Sequence, residues 1–244
     1  MGNYKFDFKQ FSIIQEHTAM KVGTDGVLLG AWTCDCLCHT SSSDNRSSCN
    51  VLDIGTGTGL IALMIAQKLP TACIDAIEID HDAYVEARLN VSRSQWNDRI
   101  NVYESSLNGF IPNVRYDIIV TNPPFYNSTL KPEDSSRASA RHHDSLPFSD
   151  IALFAEKYLS ENGQLYAIYP TNFEENIMIG LVNSSLYYNR ICDVFTKEGK
   201  PCKRRMIVFG KQPQNAVIKE TLFIRNKDGE YSESYINLTK DYYL

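Results

Sequence analysis

The segment that most constrains the fold is an apolar stretch that breaks into a glycine-rich loop and continues as a second apolar stretch. Residues 51–54 read Val-Leu-Asp-Ile, and Gly55, Gly57 and Gly59 follow at alternate positions. Residues 60–69 are mostly apolar and stop before a proline. This order predicts a buried strand, a tight turn and a buried helix. Glycines in such a turn let the backbone approach a ligand without interference from Cβ atoms.

The spacing of the glycines separates two classes of cofactor. A dinucleotide-binding loop has a third glycine where this chain has Leu60, so NAD is disfavoured. Asp53 precedes the first glycine, and a carboxylate there favours a cation over a pyrophosphate. S-adenosylmethionine carries a sulfonium and an amino group, so we expect this cofactor. Glu78 ends the next apolar stretch, residues 73–77, where it is placed to accept hydrogen bonds from both ribose hydroxyls.

A third motif, Asn122-Pro123-Pro124-Phe125, follows the apolar run 116–121. A rigid turn at the carboxyl end of a strand lies where ligands bind in open α/β sheets. We expect the Asn122 side-chain oxygen and the Pro123 carbonyl to accept both N–H bonds of a planar exocyclic amine, so that its lone pair faces a methyl donor. Phe125 would stack on the ring that carries the amine. Taken alone, the tetrapeptide also suits a plain proline-bounded turn after a core strand.

Together these motifs resemble the class I S-adenosylmethionine-dependent methyltransferases, with a turn seen in amino-methylating members. Residues 8–11 and 20–32 are similar to the opening of the bacterial tRNA(Val) adenine-N6 methyltransferases. The likeness continues through residues 137–142, the Lys-Arg segment near position 200 and residues 238–244. It therefore spans nearly the whole chain. It implies methylation of the adenosine immediately 3′ of the anticodon, with the anticodon stem-loop of tRNA as partner.

The resemblance also implies cofactor contacts beyond the glycine loop. Lys21 and Thr24 lie in the block most specific to the family and are candidates to bind the cofactor. Many methyltransferases place an Asp after the third core strand to contact the adenine of the cofactor. This chain has Ser105 and Ser106 near that point, so Ser106 is the candidate there.

Length and composition are consistent with one enzyme domain spanning residues 1–244. With 43% apolar residues and no apolar run of spanning length, the sequence predicts a soluble globular protein. The amino terminus lacks the apolar core of a signal peptide, and seven irregularly spaced cysteines indicate reduced thiols in the cytoplasm. The net charge of −5 disfavours broad electrostatic binding of RNA and leaves local basic patches. No obligate protein partner is implied.

Strand and helix patterns alternate along the chain, which predicts an α/β Rossmann-like fold with a mostly parallel seven-stranded sheet. After the second strand we expect helices at residues 81–94, 149–159 and 172–183 and strands at residues 100–103 and 163–169. Residues 190–195 and 204–211 are expected to close the sheet as an antiparallel pair. The C-terminal extension, residues 216–244, is predicted to form a hairpin of strands 219–225 and 230–238 around Asp228-Gly229.

Two basic segments are candidates to bind tRNA. Residues 126–147 have little apolar periodicity and read as a long loop on the substrate side. Its candidates are Arg137, Arg141 and His142, whereas His143 is expected to be solvated. The second segment carries Lys200, Lys203, Arg204 and Arg205. A solvated sheet edge protected by lysine is the alternative explanation of that segment.

Residues 33–49 are rich in serine and contain Cys34, Cys36, Cys38, His39 and Cys49. Thiolates and imidazole are zinc ligands, but the usual C-x2-C spacing is missing. We therefore expect a flexible insertion and no metal.

Other functions remain open from the residues alone. The same turn suits a guanine amino group in ribosomal RNA, adenine in DNA or a glutamine in a release factor. A protein of this fold that binds RNA without catalysis is a further alternative. A pure RNA-binding module would show no affinity for S-adenosylmethionine, which would distinguish it from an enzyme.

Overall fold

The computed structural model describes residues 4–40, 48–124 and 146–244 of the chain. Its strands are β1 (Lys5–Asp7), β2 (Ser12–Ile14), β3 (Cys49–Ile54), β4 (Ala72–Glu78), β5 (Ile100–Glu104), β6 (Tyr116–Thr121), β7 (Leu159–Pro170), β8 (Tyr187–Phe195), β9 (Arg204–Gly210) and β10 (Ile218–Phe223). Its α-helices are α1 (Thr24–Thr40), α2 (Leu60–Lys68), α3 (His81–Ser92), α4 (Phe148–Tyr158), α5 (Glu174–Val182) and α6 (Glu233–Thr239). Short 3-10 turns lie at Leu107–Gly109 and Thr171–Phe173.

One large sheet organises these elements in the order β10-β8-β9-β7-β6-β3-β4-β5. The five strands from β7 to β5 in this order are parallel to one another. Strand β9 runs antiparallel to both of its neighbours, β7 and β8. The predicted α/β class and the antiparallel closing pair are therefore confirmed. The sheet has eight strands in the described residues rather than seven, because β10 adds in parallel to β8.

Both faces of the sheet are covered by helices, which explains why the central strands are apolar throughout. On one face, α1, α2 and α6 contribute side chains such as Trp32, Leu63 and Tyr235 to a single buried cluster. On the other face, α4 and α5 contribute Phe148 and Ile177 to a second cluster. The alternation of β-strand side chains divides the central strands, such as β3, β6 and β7, between these two cores.

The carboxyl ends of the parallel strands lie along one edge of the sheet and position the candidate site. The glycine loop follows β3, Glu78 ends β4 and Asn122 follows β6. Because β9 is antiparallel, it begins at this edge, where Arg204 pairs with Pro170 at the end of β7. Side chains that are far apart in the sequence are thereby collected at one edge.

The predicted flexible insertion at residues 33–49 is wrong over its first half. Helix α1 continues to Thr40, and Leu29, Trp32, Cys36 and Leu37 are buried. Their spacing is that of one helix face, and cysteine packs there as a small apolar side chain. Residues 41–47 lie outside the described part of the chain.

The predicted C-terminal hairpin is also wrong in its second arm. The turn at Asp228-Gly229 forms, with Gly229 at φ 95°, and Arg225 and Tyr231 make an antiparallel bridge. Beyond that bridge the chain enters α6, whose first turn is capped by the Ser232 hydroxyl accepting from the Tyr235 amide. Burial of Tyr235 and Thr239, one helical turn apart, favours the helix over a strand.

No helix among the described residues is long and apolar enough to cross a membrane.

Candidate active site

The glycine loop after β3 turns sharply and leaves space above its backbone. Gly55 and Gly57 have φ of 68° and 56°, a region that other residues rarely adopt. A Cβ atom added at either position would meet nothing within 4 Å. Gly59, the residue before α2, caps the start of that helix with φ of 81°. The loop is therefore open on its outer side, where a ligand can approach the backbone.

Asp53 lies beneath the loop with no exposed surface. Its Oδ2 accepts hydrogen bonds from the Thr56 hydroxyl at 2.6 Å and from the Ala62 amide at 3.2 Å, while Oδ1 is buried without a hydrogen-bond partner. Burial raises the pKa of this carboxyl to about 7, against the lowering effect of both hydrogen bonds. The residue thus supports the loop and the start of α2, and it retains one unused acceptor.

Glu78 contacts the glycine loop from the end of β4. Its Oε2 accepts from the Gly57 amide at 2.8 Å, and its Oε1 accepts from the amides of Ile79 and Asp80 at 2.9 and 3.0 Å. These bonds orient the carboxylate at the same edge of the sheet as the loop. The role of Glu78 as a ribose acceptor stays a prediction, and its three backbone partners were not predictable from the strand pattern.

The Asn-Pro-Pro turn emerges directly beside the glycine loop. Ile54 pairs with Thr121 in adjacent parallel strands, so Gly55 and Asn122 leave the sheet side by side. The Thr121 hydroxyl donates to the Ile54 carbonyl at 3.0 Å and locks the two strand ends together. Asn122 and Pro124 are partly exposed, and Pro123 is buried. Loop and turn are therefore neighbours, as parallel strands lie about 4.8 Å apart.

Two buried polar residues of α3 hold the N-terminal segment against this site, and neither was predicted from the sequence. Asn90 donates to the Ile14 and Thr58 carbonyls at 2.9 Å and accepts from the Ile14 amide at 2.8 Å. It therefore joins the N-terminal segment to the glycine loop. The sequence could have indicated this role, because Asn90 lies on the same helix face as Ala83 and Ala87, which are buried. A polar side chain on a buried helix face requires hydrogen-bond partners.

The second of these residues, Glu86, accepts from the amides of Glu16, His17 and Thr18 at 2.6, 2.6 and 3.0 Å, and from the Thr18 hydroxyl. Burial opposes its ionisation, but these hydrogen bonds outweigh burial and lower the pKa of its carboxyl. Glu86 is thus held as a carboxylate that fixes the segment leading into α1.

The remaining predicted cofactor residues lie around this segment and the end of β5. Lys21 is exposed, with its Nζ 5.5 Å from the centre of the Tyr4 ring. Thr24 is the first residue of α1. Ser106 follows β5 and accepts a hydrogen bond from the Gly109 amide at 3.1 Å, which caps a 3-10 turn. None of these contacts tests a direct role in cofactor binding, which stays a prediction.

The basic segment before β9 divides into exposed lysines and paired arginines. Lys200 and Lys203 are exposed. Arg204 Nε donates to Asp25 Oδ2 at 2.7 Å. Arg205 donates to Asp193 and Glu174 at 2.7 and 2.9 Å. Strand β9 lies inside the sheet, so the alternative of a lysine-protected sheet edge is wrong.

Several predicted residues lie outside the described part of the chain: Phe125, Arg137, Arg141 and His142. Of the cysteines, Cys34 and Cys36 are buried, and burial raises the pKa of each thiol to about 12. Among the described residues, no group of three or more His, Cys, Asp or Glu side chains could hold a metal ion.

The described residues suit S-adenosylmethionine. The open glycine loop admits a ligand to the backbone, and Asp53 retains a buried acceptor without a partner. The Glu78 carboxylate adjoins the loop, so the site favours a cationic ligand with hydroxyl groups over a pyrophosphate.

Comparisons with known proteins agree with this geometry. Residues 36–179 match the family model described as the methyltransferase small domain. A predicted O-methyltransferase from Agrobacterium tumefaciens shares the fold, with a TM-score of 0.63 at 16% identity over 89% of this chain and 96% of that one. A glycopeptide N-methyltransferase in complex with S-adenosylmethionine has a TM-score of 0.53 at 10% identity, over 82% and 100% of the two chains.

Relatives of higher identity cover the whole chain. The tRNA1(Val) (adenine(37)-N6)-methyltransferase of Flavobacterium psychrophilum is 43% identical over 241 residues, which are 98% of this chain and 99% of the relative. The enzyme of the same name from Trichodesmium erythraeum is 42% identical over 248 residues, covering 100% and 99%. With such full-length identity and a shared S-adenosylmethionine-dependent fold, the chain belongs to the tRNA1(Val) (adenine(37)-N6)-methyltransferase family.

Proposed function

We propose that this enzyme transfers a methyl group from S-adenosylmethionine to the exocyclic N6 of adenosine 37 in tRNA(Val). The structural observation that carries the proposal is the pairing of Ile54 with Thr121, which places the glycine loop and Asn122 side by side. A methyl donor on the loop and an amine at the turn would then lie next to each other. The names and full-length identity of the relatives supply the substrate.

Asn122 and Pro123 would prepare the amine for reaction. The nitrogen lone pair of adenine N6 is delocalised into the ring, so the free amine is a weak nucleophile. Two acceptors, the Asn122 side-chain oxygen and the Pro123 carbonyl, would bind its two N–H groups and draw the nitrogen towards a pyramidal geometry. Preorganised polar groups of this kind stabilise developing charge without reorganisation during the reaction.

The cofactor supplies an electrophilic methyl group. After transfer, the amine carries an additional positive charge and loses one proton to water. A dedicated general base is therefore not required, and His142 is not assigned that role. Phe125 would stack on adenine and fix the plane of its ring; it lies outside the described residues, so this contact stays a prediction.

The RNA partner is proposed to be the anticodon stem-loop, approached from the carboxyl edge of the sheet. Lys200 and Lys203 are exposed at this edge and suit phosphate contacts. The predicted contacts of Arg137, Arg141 and His142 lie outside the described residues. A tRNA substrate fits the expected cytoplasmic location of the enzyme.

Mapping the product tests this proposal. Purified protein is incubated with bulk tRNA and S-adenosylmethionine labelled in the methyl group, and the labelled nucleotide is identified by mass spectrometry after digestion. N6-methyladenosine at position 37 of tRNA(Val) is the expected product. Label in guanosine, in another tRNA position only, or no label beside measurable cofactor binding would contradict the proposal.

A further inference from the structure

Helix α1 begins close to Asn122, the first residue of the Asn-Pro-Pro turn. Gly26, in the first turn of the helix, is buried. A Cβ atom added there would lie 3.2 Å from the Leu60 side chain and 3.8 Å from the side-chain Nδ2 of Asn122. The start of α1 therefore lies beside the Asn122 side chain, separated from it by about the space of one methyl group, and its position limits the space that this side chain can occupy.

An ion pair connects this helix end to the start of β9. Arg204 Nε donates to Asp25 Oδ2 at 2.7 Å, and the two side chains are 37% and 30% exposed. Arg204 begins β9 and pairs with Pro170 at the end of β7, the strand next to β6. The pair thus ties the first turn of α1 to the sheet edge, two strands away from the turn that carries Asn122.

We propose that the Asp25–Arg204 pair positions Asn122 for methyl transfer, with both acting as positioning residues that do not themselves touch the substrate. The inference rests on the proposed function. It reassigns Arg204, which the sequence alone presented as a phosphate contact. Lys200 and Lys203 in the same segment keep that role.

Loss of this ion pair should lower the rate of methyl transfer more than the stability of the fold. A partly exposed ion pair contributes little to stability. Catalysis is far more sensitive to position, since a displacement of about 1 Å can cost roughly a hundredfold in rate. Loss of the pair should therefore leave a folded protein that binds the cofactor but transfers methyl slowly.

The test compares Asp25→Asn, Arg204→Gln and the charge-swapped double variant Asp25→Arg/Arg204→Asp. Each is assayed for single-turnover methylation of tRNA(Val) at saturating cofactor and tRNA. Each single variant should be slower by about 10- to 100-fold. The double variant should recover at least tenfold over the singles, because it restores an ion pair at the same place.

Arg190→Gln serves as the matched control. It removes an arginine that donates to Glu220 at 2.6 Å in a pair of similar or greater burial, between β8 and β10. This variant should methylate at the wild-type rate. Melting temperature and S-adenosylmethionine affinity, measured for every variant, separate misfolding and cofactor loss from mispositioning.

Three results would overturn the inference. One is a single variant that matches wild type; another is a double variant no faster than the singles, which would give Asp25 or Arg204 a direct role. The third is a flatter salt dependence of tRNA binding in Arg204→Gln, which would make Arg204 a phosphate contact. If wild type itself fails to methylate tRNA, the proposed function fails instead, so the two failures are distinguishable.

Discussion

Asp53 is completely buried beneath the glycine loop, and this burial changes its ionisation. Burial raises its pKa to about 7, from 3.8 in the unfolded chain. Between about pH 4 and 7 the folded state therefore holds a proton that the unfolded chain has released. The stability that Asp53 contributes is greatest at low pH and falls as pH rises through this window. The position of Asp53 before the first glycine predicted that its carboxyl lies beside the loop, but the local sequence did not indicate that this carboxyl is completely buried.

An Asp53→Asn variant tests that ionisation. Asparagine keeps an acceptor for the Thr56 hydroxyl but does not ionise, so it escapes the loss of stability at higher pH. The melting temperature of the variant minus that of wild type should increase between about pH 4 and 7, in cofactor-free protein. A difference that is constant with pH would show that Asp53 titrates near its ordinary value.

Glu78 should report on cofactor binding. Glu78→Ala removes the acceptor expected to bind the ribose and also the contact to the Gly57 amide. S-adenosylmethionine affinity should fall by about 10- to 100-fold, since hydrogen bonds to charged groups contribute about 1.5–3 kcal/mol. Calorimetric titration measures this, with Glu175→Ala as a control on an exposed acid of α5. Unchanged affinity in folded Glu78→Ala would remove Glu78 from the cofactor site.

At the scale of elements, packing between α4 and α5 offers a sharp test of the second core. A Cβ atom at Gly180 would lie 2.5 Å from Cδ1 of Phe148, a buried and rigid ring. Gly180→Ala should therefore destabilise the fold by about 1–3 kcal/mol, even though alanine favours helix by about 1 kcal/mol. Chemical denaturation measures the change in unfolding free energy.

Gly23→Ala is the matched control for this prediction. Its Cβ would meet only the Lys21 carbonyl, at an ordinary 3.7 Å. It should unfold at nearly the wild-type denaturant concentration. Equal stability of Gly180→Ala and wild type would show that α5 sits further from α4 than described.

The elements that sequence patterns predicted best are those whose signal is local and periodic. The glycine loop, the helix after it and the closing antiparallel pair followed directly from such patterns. The extension of α1 to Thr40 was missed because Thr33, Cys34 and Cys36, which are buried, were taken as linker residues. Helix α6 was missed because a clear Asp-Gly turn suggested a second strand, whereas Tyr235 packs into the core from a helix. Tertiary burial decided both cases, and it is not visible in local propensity.

At the scale of the whole molecule, a net charge of −5 must be reconciled with an RNA substrate. Arg204 and Arg205 are bonded to carboxylates of the protein itself. Among the residues that the structure describes, the exposed Lys200 and Lys203 at the carboxyl edge of the sheet therefore remain the candidates for phosphate contacts. The sequence showed that these cations lie in one segment. It did not show which of them are paired within the protein, because the carboxylates that bind Arg204 and Arg205 lie on other elements.

A Lys200→Gln/Lys203→Gln variant tests this division. Binding to tRNA(Val) should weaken, and the slope of log affinity against log salt should flatten by somewhat less than one unit for each lost contact. Melting temperature should hardly change, since exposed charges contribute little to folding. If the slope is unaltered, tRNA is held elsewhere, and Arg137→Ala/Arg141→Ala becomes the next variant to measure.

The most direct test of the whole account is single-turnover methylation of tRNA(Val) by wild type and Asn122→Ala, beside calorimetric titration of both with S-adenosylmethionine. Removal of one preorganised polar group should slow methyl transfer to adenosine 37 by roughly two to three orders of magnitude. Cofactor affinity should stay within a factor of about three, because Asn122 acts on the amine. Near wild-type methylation by Asn122→Ala would contradict the central claim that this turn activates adenine N6.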